Sequence, residues 1–223
     1  KYQINHIISM IKELNMKMHT INTNNSSRNI YYFLEIERNT FYVIDPFSFE
    51  CAEKFLQSKN GNLVGIINTH AHFDHIGGNA QLFEKYKCDI FVYQDALDVI
   101  PCATQGIKEG HIFSFGDDEL KVIFTPGHTK FDICLLHSHK GKEVGLFVGD
   151  TLFSAGVGNC INGGDPEVLF ESITKLQAML DDDIKLYYFH EYLKNNIGFT
   201  LSLTPNNKTA QNILSSISSN NFD

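Results

Sequence analysis

The chain has 223 residues, 43% of them apolar and 20% charged, with a formal net charge of −8, which suits one substantial domain able to bury its own core. No apolar stretch approaches the roughly 18 residues that span a bilayer, and an acidic balance without a basic stripe is a poor match to a phosphate backbone, so neither a membrane nor a nucleic-acid partner is expected. The five cysteines, Cys51, Cys88, Cys102, Cys134 and Cys160, are odd in number with no CxxC pair, a usage that favours free thiols in a reducing compartment over a disulfide framework.

Residues 1–16 carry Ile4, Ile7, Ile8, Ile11 and Leu14 at helical spacing and lack a secretory cleavage site, so they read as an amphipathic helical extension. The chain opens on Lys1; the expected location is cytoplasmic, with an organelle as the alternative where a targeting segment has been removed. Segments 17–22, 30–37 and 41–45 read as three strands of an antiparallel meander separated by polar turns. A helix is predicted over 50–58, then a strand ending at Asn68, and another helix over 79–87. Further strands fall at 89–93, 120–124, 132–137 and 144–149, with helices at about 166–180 and 207–217. Ser215–Asn221 reads as solvated. Without repeats or a long linker, the pattern is one mixed α/β domain over 17–203, followed by a short C-terminal helix or tail over 204–223.

The chemistry concentrates in NTHAHFDHIGGN, residues 68–79. An isolated histidine pair at i, i+2 is ordinarily a surface or core feature, but His70, His72, Asp74 and His75 put four ligand-type side chains into one loop after a buried strand. Gly77 and Gly78 let the chain turn sharply there. Neutral imidazoles with a carboxylate suit zinc, iron or manganese, and no thiolate set is present. Three further apolar runs end in ligand types: FTPGHT with His128, LFVGDTLF with Asp150 and YYFHEY with His190. Seven candidates at four strand ends converge if the loops share one edge of the sheet.

THAHFDH, TPGHT, GDTLF and HEY together resemble the binuclear metallo-β-lactamase superfamily, most closely its glyoxalase II branch of hydroxyacylglutathione hydrolases, over roughly residues 17–200. The resemblance implies a four-layer αββα sandwich with the metals at one edge. It implies that His70, His72 and His128 hold one ion, that Asp74, His75 and His190 hold the other, and that Asp150 bridges them. The two divalent ions are expected to be zinc, with iron or manganese as alternatives. Such a pair lowers the pKa of a shared water from 15.7 toward neutrality, and the hydroxide, oriented by Asp74, attacks an acyl thioester such as S-lactoylglutathione. Aspartate at 150 separates the chain from the true β-lactamases, which commonly offer cysteine, and His72 separates it from flavodiiron relatives, which place glutamate there.

Tyr192 resembles the family's substrate-contacting tyrosine. Asn159 and Ile161 stand where the family has a basic residue and a tyrosine that clamp glutathione, Phe131 replaces a usual glycine, and residues 204–223 stand in place of a full helical domain; glutathione specificity is therefore open. Two other readings stay open, a persulfide dioxygenase with one iron on two histidines and one aspartate, and a non-catalytic, metal-stabilised binding protein. Asp45 is either a partner behind the site or a turn-forming Asp-Pro. His137 and His139 read as surface, His6, His19 and His111 receive no role, and Cys134 and Cys160 read as small buried hydrophobes. The oligomeric state is left open.

Overall fold

A computed structural model of the protein describes residues 16–23 and 25–219; the helical extension expected at residues 1–16 lies, apart from Met16, outside the described residues, as does His6. β1 (Lys17–Asn22), β2 (Ile30–Glu37) and β3 (Thr40–Ile44) form the antiparallel meander. β4 (Asn62–Ile67), β5 (Asp89–Tyr93) and β6 (Gln105–Ile107) extend it in parallel to a six-stranded sheet ordered β1-β2-β3-β4-β5-β6. Parallel neighbours need a crossover. Helix α1 (Phe49–Lys59) supplies the one before β4; the single turn α2 (Phe73–Ile76) and helix α3 (Asn79–Tyr86) supply the one before β5. α1 starts where the Ser48 hydroxyl accepts from the Cys51 amide and stops at Asn60 in the left-handed conformation, φ 47°.

The second sheet, ordered β13-β10-β9-β8-β7, contains β7 (Ile112–Phe115), β8 (Asp118–Phe124), β9 (Ile133–His139), β10 (Lys142–Phe147) and β13 (Lys185–Tyr187). Successive residues of these strands point to opposite faces. Val122, Leu135 and Phe147 join the large core between the sheets, whereas their neighbours Ile123, Cys134, Leu136, Leu146 and Val148 pack outward with Leu176 of helix α4 (Pro166–Met179). Ala52 and Leu56 of α1 and Leu82 of α3 belong to the large core from the other side. The layers are therefore helix, sheet, sheet, helix, the αββα sandwich.

Among the described residues no helix is long and apolar enough to cross a membrane. The hairpin of β11 (Leu152–Phe153) and β12 (Gly156–Val157), the strands β6, β7 and β13, and helix α5 (Leu193–Leu203) have no counterpart in the predicted elements. α5, LKNNIGFTLSL, carries a glycine, two asparagines and β-branched residues and buries Ile197 alone, so its helical period is faint. Helix α6 (Lys208–Ser219) runs through Ser215 and Ser216, which are exposed.

Three histidine readings also change. His137 and His139 are not free surface groups: His137 Nε2 and His139 Nδ1 lie 2.8 and 3.0 Å from Asp118 Oδ1, and Asp118 Oδ2 accepts from the Met16 amide at 3.0 Å. His19 has a partner as well, with Nε2 3.0 Å from Glu35 Oε2 and its ring against Phe41 and Phe55. Strand spacing places these partners side by side across the sheet, which linear spacing does not reveal.

Candidate metal centre

Every strand that leads to one of the seven candidates ends at the same edge of the sandwich. His70 lies three residues beyond β4, His128 four beyond β8, Asp150 three beyond β10 and His190 three beyond β13. Strands β8 and β10 are both antiparallel to β9, and β13 is parallel to β10, so their ends coincide. Asp74 and His75 sit on α2, whose first bond runs from the His75 amide to the His72 carbonyl at 2.9 Å.

The seven side chains come together. Ligand-type atoms of His70, His72 and His128 form one group within 4.8 Å of one another, and those of Asp74, His75 and His190 form another. Asp150 lies between the groups: Oδ1 is 3.2 Å from His75 Nε2 and 3.5 Å from His190 Nε2, and Oδ2 is 3.5 Å from His128 Nε2.

The neighbours fix which nitrogen of each imidazole faces inward. A carbonyl or carboxylate oxygen only accepts, so His128 Nδ1 donates to the Asn159 carbonyl at 2.6 Å, His190 Nδ1 to the Ser27 carbonyl at 2.8 Å and His75 Nδ1 to Asp45 Oδ2 at 2.9 Å. His72 Nε2 is directed at the Asn162 carbonyl, 3.5 Å away. The Thr69 hydroxyl donates to Asp45 Oδ2 at 2.5 Å and is thereby left to accept from His70 Nδ1 at 3.1 Å. Each ring, when neutral, thus turns an N–H outward and a lone pair inward. The inward nitrogens of His72 and His128 are 2.9 Å apart, those of His75 and His190 3.2 Å apart, and His70 Nε2 is buried without a partner. Lone pairs packed this closely repel unless a cation lies among them, and donors of this type are those that hold zinc, iron or manganese. The residues fit a pair of divalent ions.

The carboxylates split the rings of the site in two. Burial, together with the neighbouring imidazoles, pushes His70 well below the ordinary histidine value, and His72 is lowered for the same reasons. Burial alone would also lower His75, but Asp150 and Asp45 outweigh it and raise that ring well above the ordinary value. Burial opposes ionisation of Asp74, yet His190, His75 and the Asn29 amide hold its carboxyl well below the usual range; Asp150 is lowered in the same way by His75, His190 and His128.

Asp45 is resolved as a partner behind the site. It is buried in a left-handed conformation, φ 50°, and takes the Thr69 amide at 2.7 Å as well as the hydroxyl and His75. Sequence reasoning missed Thr69, Asn29 and the Ser27 carbonyl. Thr69 stands inside THAHFDH, a signal that was available, whereas Asn29, whose amide donates to Asp74 O and Oδ2 at 3.2 and 3.4 Å, closes a polar turn like any other.

Tyr192 stacks on His190, centroids 5.1 Å apart and rings at 4°, and its hydroxyl donates to the Ser27 carbonyl at 3.2 Å. Asn159 meets the site through its backbone carbonyl, and its side chain accepts from the Ile161 amide at 3.1 Å. Ile161 is 86% exposed. Phe131 is half-buried against the large core. The Cys134 thiol, pushed up to about 12 by burial, and the half-buried Cys160, also raised, are not poised as nucleophiles.

A family model of the metallo-beta-lactamase superfamily matches residues 27–101. A hydroxyacylglutathione hydrolase of Nitrosococcus oceani is 36% identical over 199 residues, 88% of this chain and 75% of the relative. One from Francisella philomiragia is 38% identical over 187 residues, 83% and 72% of the two chains. Among solved structures, ETHE1 from Myxococcus xanthus is similar at a TM-score of 0.68 and 25% identity, covering 79% of this chain and 76% of that one.

Proposed function

The chain belongs to the metallo-β-lactamase superfamily, in its glyoxalase II-like branch, and from that premise we propose that it is a metal-dependent hydrolase of small-molecule thioesters carrying two divalent ions, zinc in the first instance. The observation that carries this reading is the set of five imidazoles whose outward N–H groups are all directed at acceptors while their inward nitrogens converge with Asp74 and Asp150. His70, His72 and His128 would hold one ion, Asp74, His75 and His190 the other, and Asp150 would serve both. Two ions held there supply Lewis acidity toward a carbonyl and a nucleophile drawn from water at neutral pH.

The chain's own residues account for the rest. Asp45 and Thr69 lock the rings of His75 and His70, which fixes the tautomer and aims the inward nitrogens. Asp74, held by Asn29 and 3.2 Å from His190 Nε2, would orient the attacking water. A departing thiolate, with a pKa of roughly 8.5, needs little help from a general acid, which agrees with the lack of any such group among the seven. The one-iron reading would leave three of the five inward nitrogens without an ion.

Elemental analysis of the purified chain, paired with hydrolysis of S-lactoylglutathione and of a simple neutral thioester, tests the proposal. The expected result is two equivalents of divalent metal and turnover that a chelator abolishes and zinc restores. One iron with oxygen uptake, or bound metal without turnover of either thioester, would overturn it.

A further inference from the structure

The face of the centre around His190 carries a cation against its binding elements. The turn Asn25–Asn29 closes on itself through the Arg28 amide to the Asn25 carbonyl at 3.0 Å and the Asn29 amide to Asn25 Oδ1 at 3.0 Å. Its residues then reach the centre in succession: the Ser27 carbonyl takes His190 and Tyr192, and the Asn29 side chain takes Asp74. Arg28, between them, adopts φ 53°, a left-handed conformation uncommon for a long side chain. Its backbone carbonyl accepts from the Glu191 amide at 3.3 Å, and its Nη1 donates to the Glu191 carbonyl at 3.3 Å. The guanidinium is thereby held one residue from both His190 and Tyr192.

That contact uses one of five N–H donors in a planar fork shaped for a carboxylate. Arg28 is exposed, and no carboxylate of the described residues pairs with it. At the opposite rim Asn159 and Ile161 are neutral, and the exposed Lys130, two residues beyond His128, borders a separate groove with Asp165. On a chain of net charge −8, a cation fixed at the mouth adds to the attraction that metal ions at the centre would exert on an anionic substrate and sets where its carboxylate lies.

We propose that Arg28 is a specificity-determining residue that receives a carboxylate of the substrate on the Asp74–His190 side of the centre. This rests on the thioester hydrolase reading and narrows it to thioesters that bear an anionic group, on the thiol or on the acyl part.

The test compares the wild-type chain with Arg28→Gln and Arg28→Lys on S-lactoylglutathione, whose thiol carries carboxylates, on S-succinyl-N-acetylcysteamine, whose acyl group does, and on the neutral S-acetyl-N-acetylcysteamine. Arg28→Gln should raise KM about tenfold for at least one anionic thioester, with kcat within about twofold and the neutral substrate unaffected. Lysine should restore part of the loss. The anionic substrate that responds identifies which part of the molecule Arg28 meets. Wild-type KM for that substrate should also rise with salt while the neutral one stays constant, a readout that does not depend on either variant folding. Unchanged KM values, an equal rise for the neutral thioester, salt-independent binding, or a wild type that accepts only the neutral thioester would overturn the inference and leave the hydrolase reading standing. A wild type that cleaves none of the three overturns both.

Discussion

The two halves of the centre are held by different kinds of neighbour. On the Asp74–His75–His190 side the supports include buried side chains: Asp45 beneath His75 and Asn29 beneath Asp74. On the other side the Thr69 hydroxyl holds His70, while His128 and His72 rest on the backbone carbonyls of Asn159 and Asn162, contributed by the exposed loop after β12. The first half therefore depends on particular functional groups, and the second mainly on the path of a loop. That contrast predicts which kind of substitution each half tolerates.

Asp150 belongs to both halves, so its loss is the most severe expectation. Asp150→Ala should release both ions and lower kcat/KM by about three orders of magnitude, about 4 kcal/mol at 1.36 kcal/mol per decade; two equivalents of metal retained per chain would break the bridging assignment. Asp45→Asn keeps the shape but removes the charge opposite His75. A loss of about 10- to 100-fold in affinity for the ion on the His75 side, with a smaller loss for the other through Thr69 and His70, should appear in competition with a chelating dye.

Gly158→Ala probes the loop-held half. A Cβ there would stand 2.0 Å from the Asp150 carbonyl and 2.7 Å from His128 Nδ1, so the loop must shift, and overpacking of this kind costs about 1–3 kcal/mol. Metal titration should show the other ion of the pair weakened, the reverse of the Asp45→Asn pattern. Asn159→Lys with Ile161→Tyr should lower KM for glutathione thioesters several-fold, about 1 kcal/mol of added binding, because a charge and a hydroxyl enter the rim; an unchanged KM would place the thiol pocket elsewhere.

Asp118, at the far end of β8, is the control that lies outside both halves. Burial raises its carboxyl, but His137, His139 and the Met16 amide outweigh that and hold it below the ordinary carboxylate value. A depressed folded pKa adds stability above the unfolded value, roughly 3.9, and loses it as pH falls through the folded one. Asp118→Asn should lower Tm near neutral pH by a few degrees, about 1–3 kcal/mol of lost hydrogen bonding. The gap to wild type should narrow below about pH 4, with metal content unchanged.

How much of this could be read before any coordinates depended on the kind of residue. The strands with long apolar runs, such as IYYFLEIE and NLVGII, were plain, because burial on a sheet demands just that composition. The seven side chains were legible because histidine and aspartate at strand ends have few other uses. Their supports were not: Ser27, Asn159 and Asn162 act through carbonyls that every residue possesses, and Asp45 could as well have been part of an ordinary Asp-Pro turn. Short pieces such as β13 and β11–β12 are set by the sheet or hairpin they complete, not by their own two or three residues.

Four of the seven side chains, His70, His72, Asp74 and His75, hang from the six-stranded sheet, and three, His128, Asp150 and His190, from the five-stranded one. Any cation gathered by all seven acts as a rivet through both slabs at that edge. Resistance to heat and reactivity toward thioesters would then rise and fall together as the ions are withdrawn, a coupling written into the way the two slabs meet.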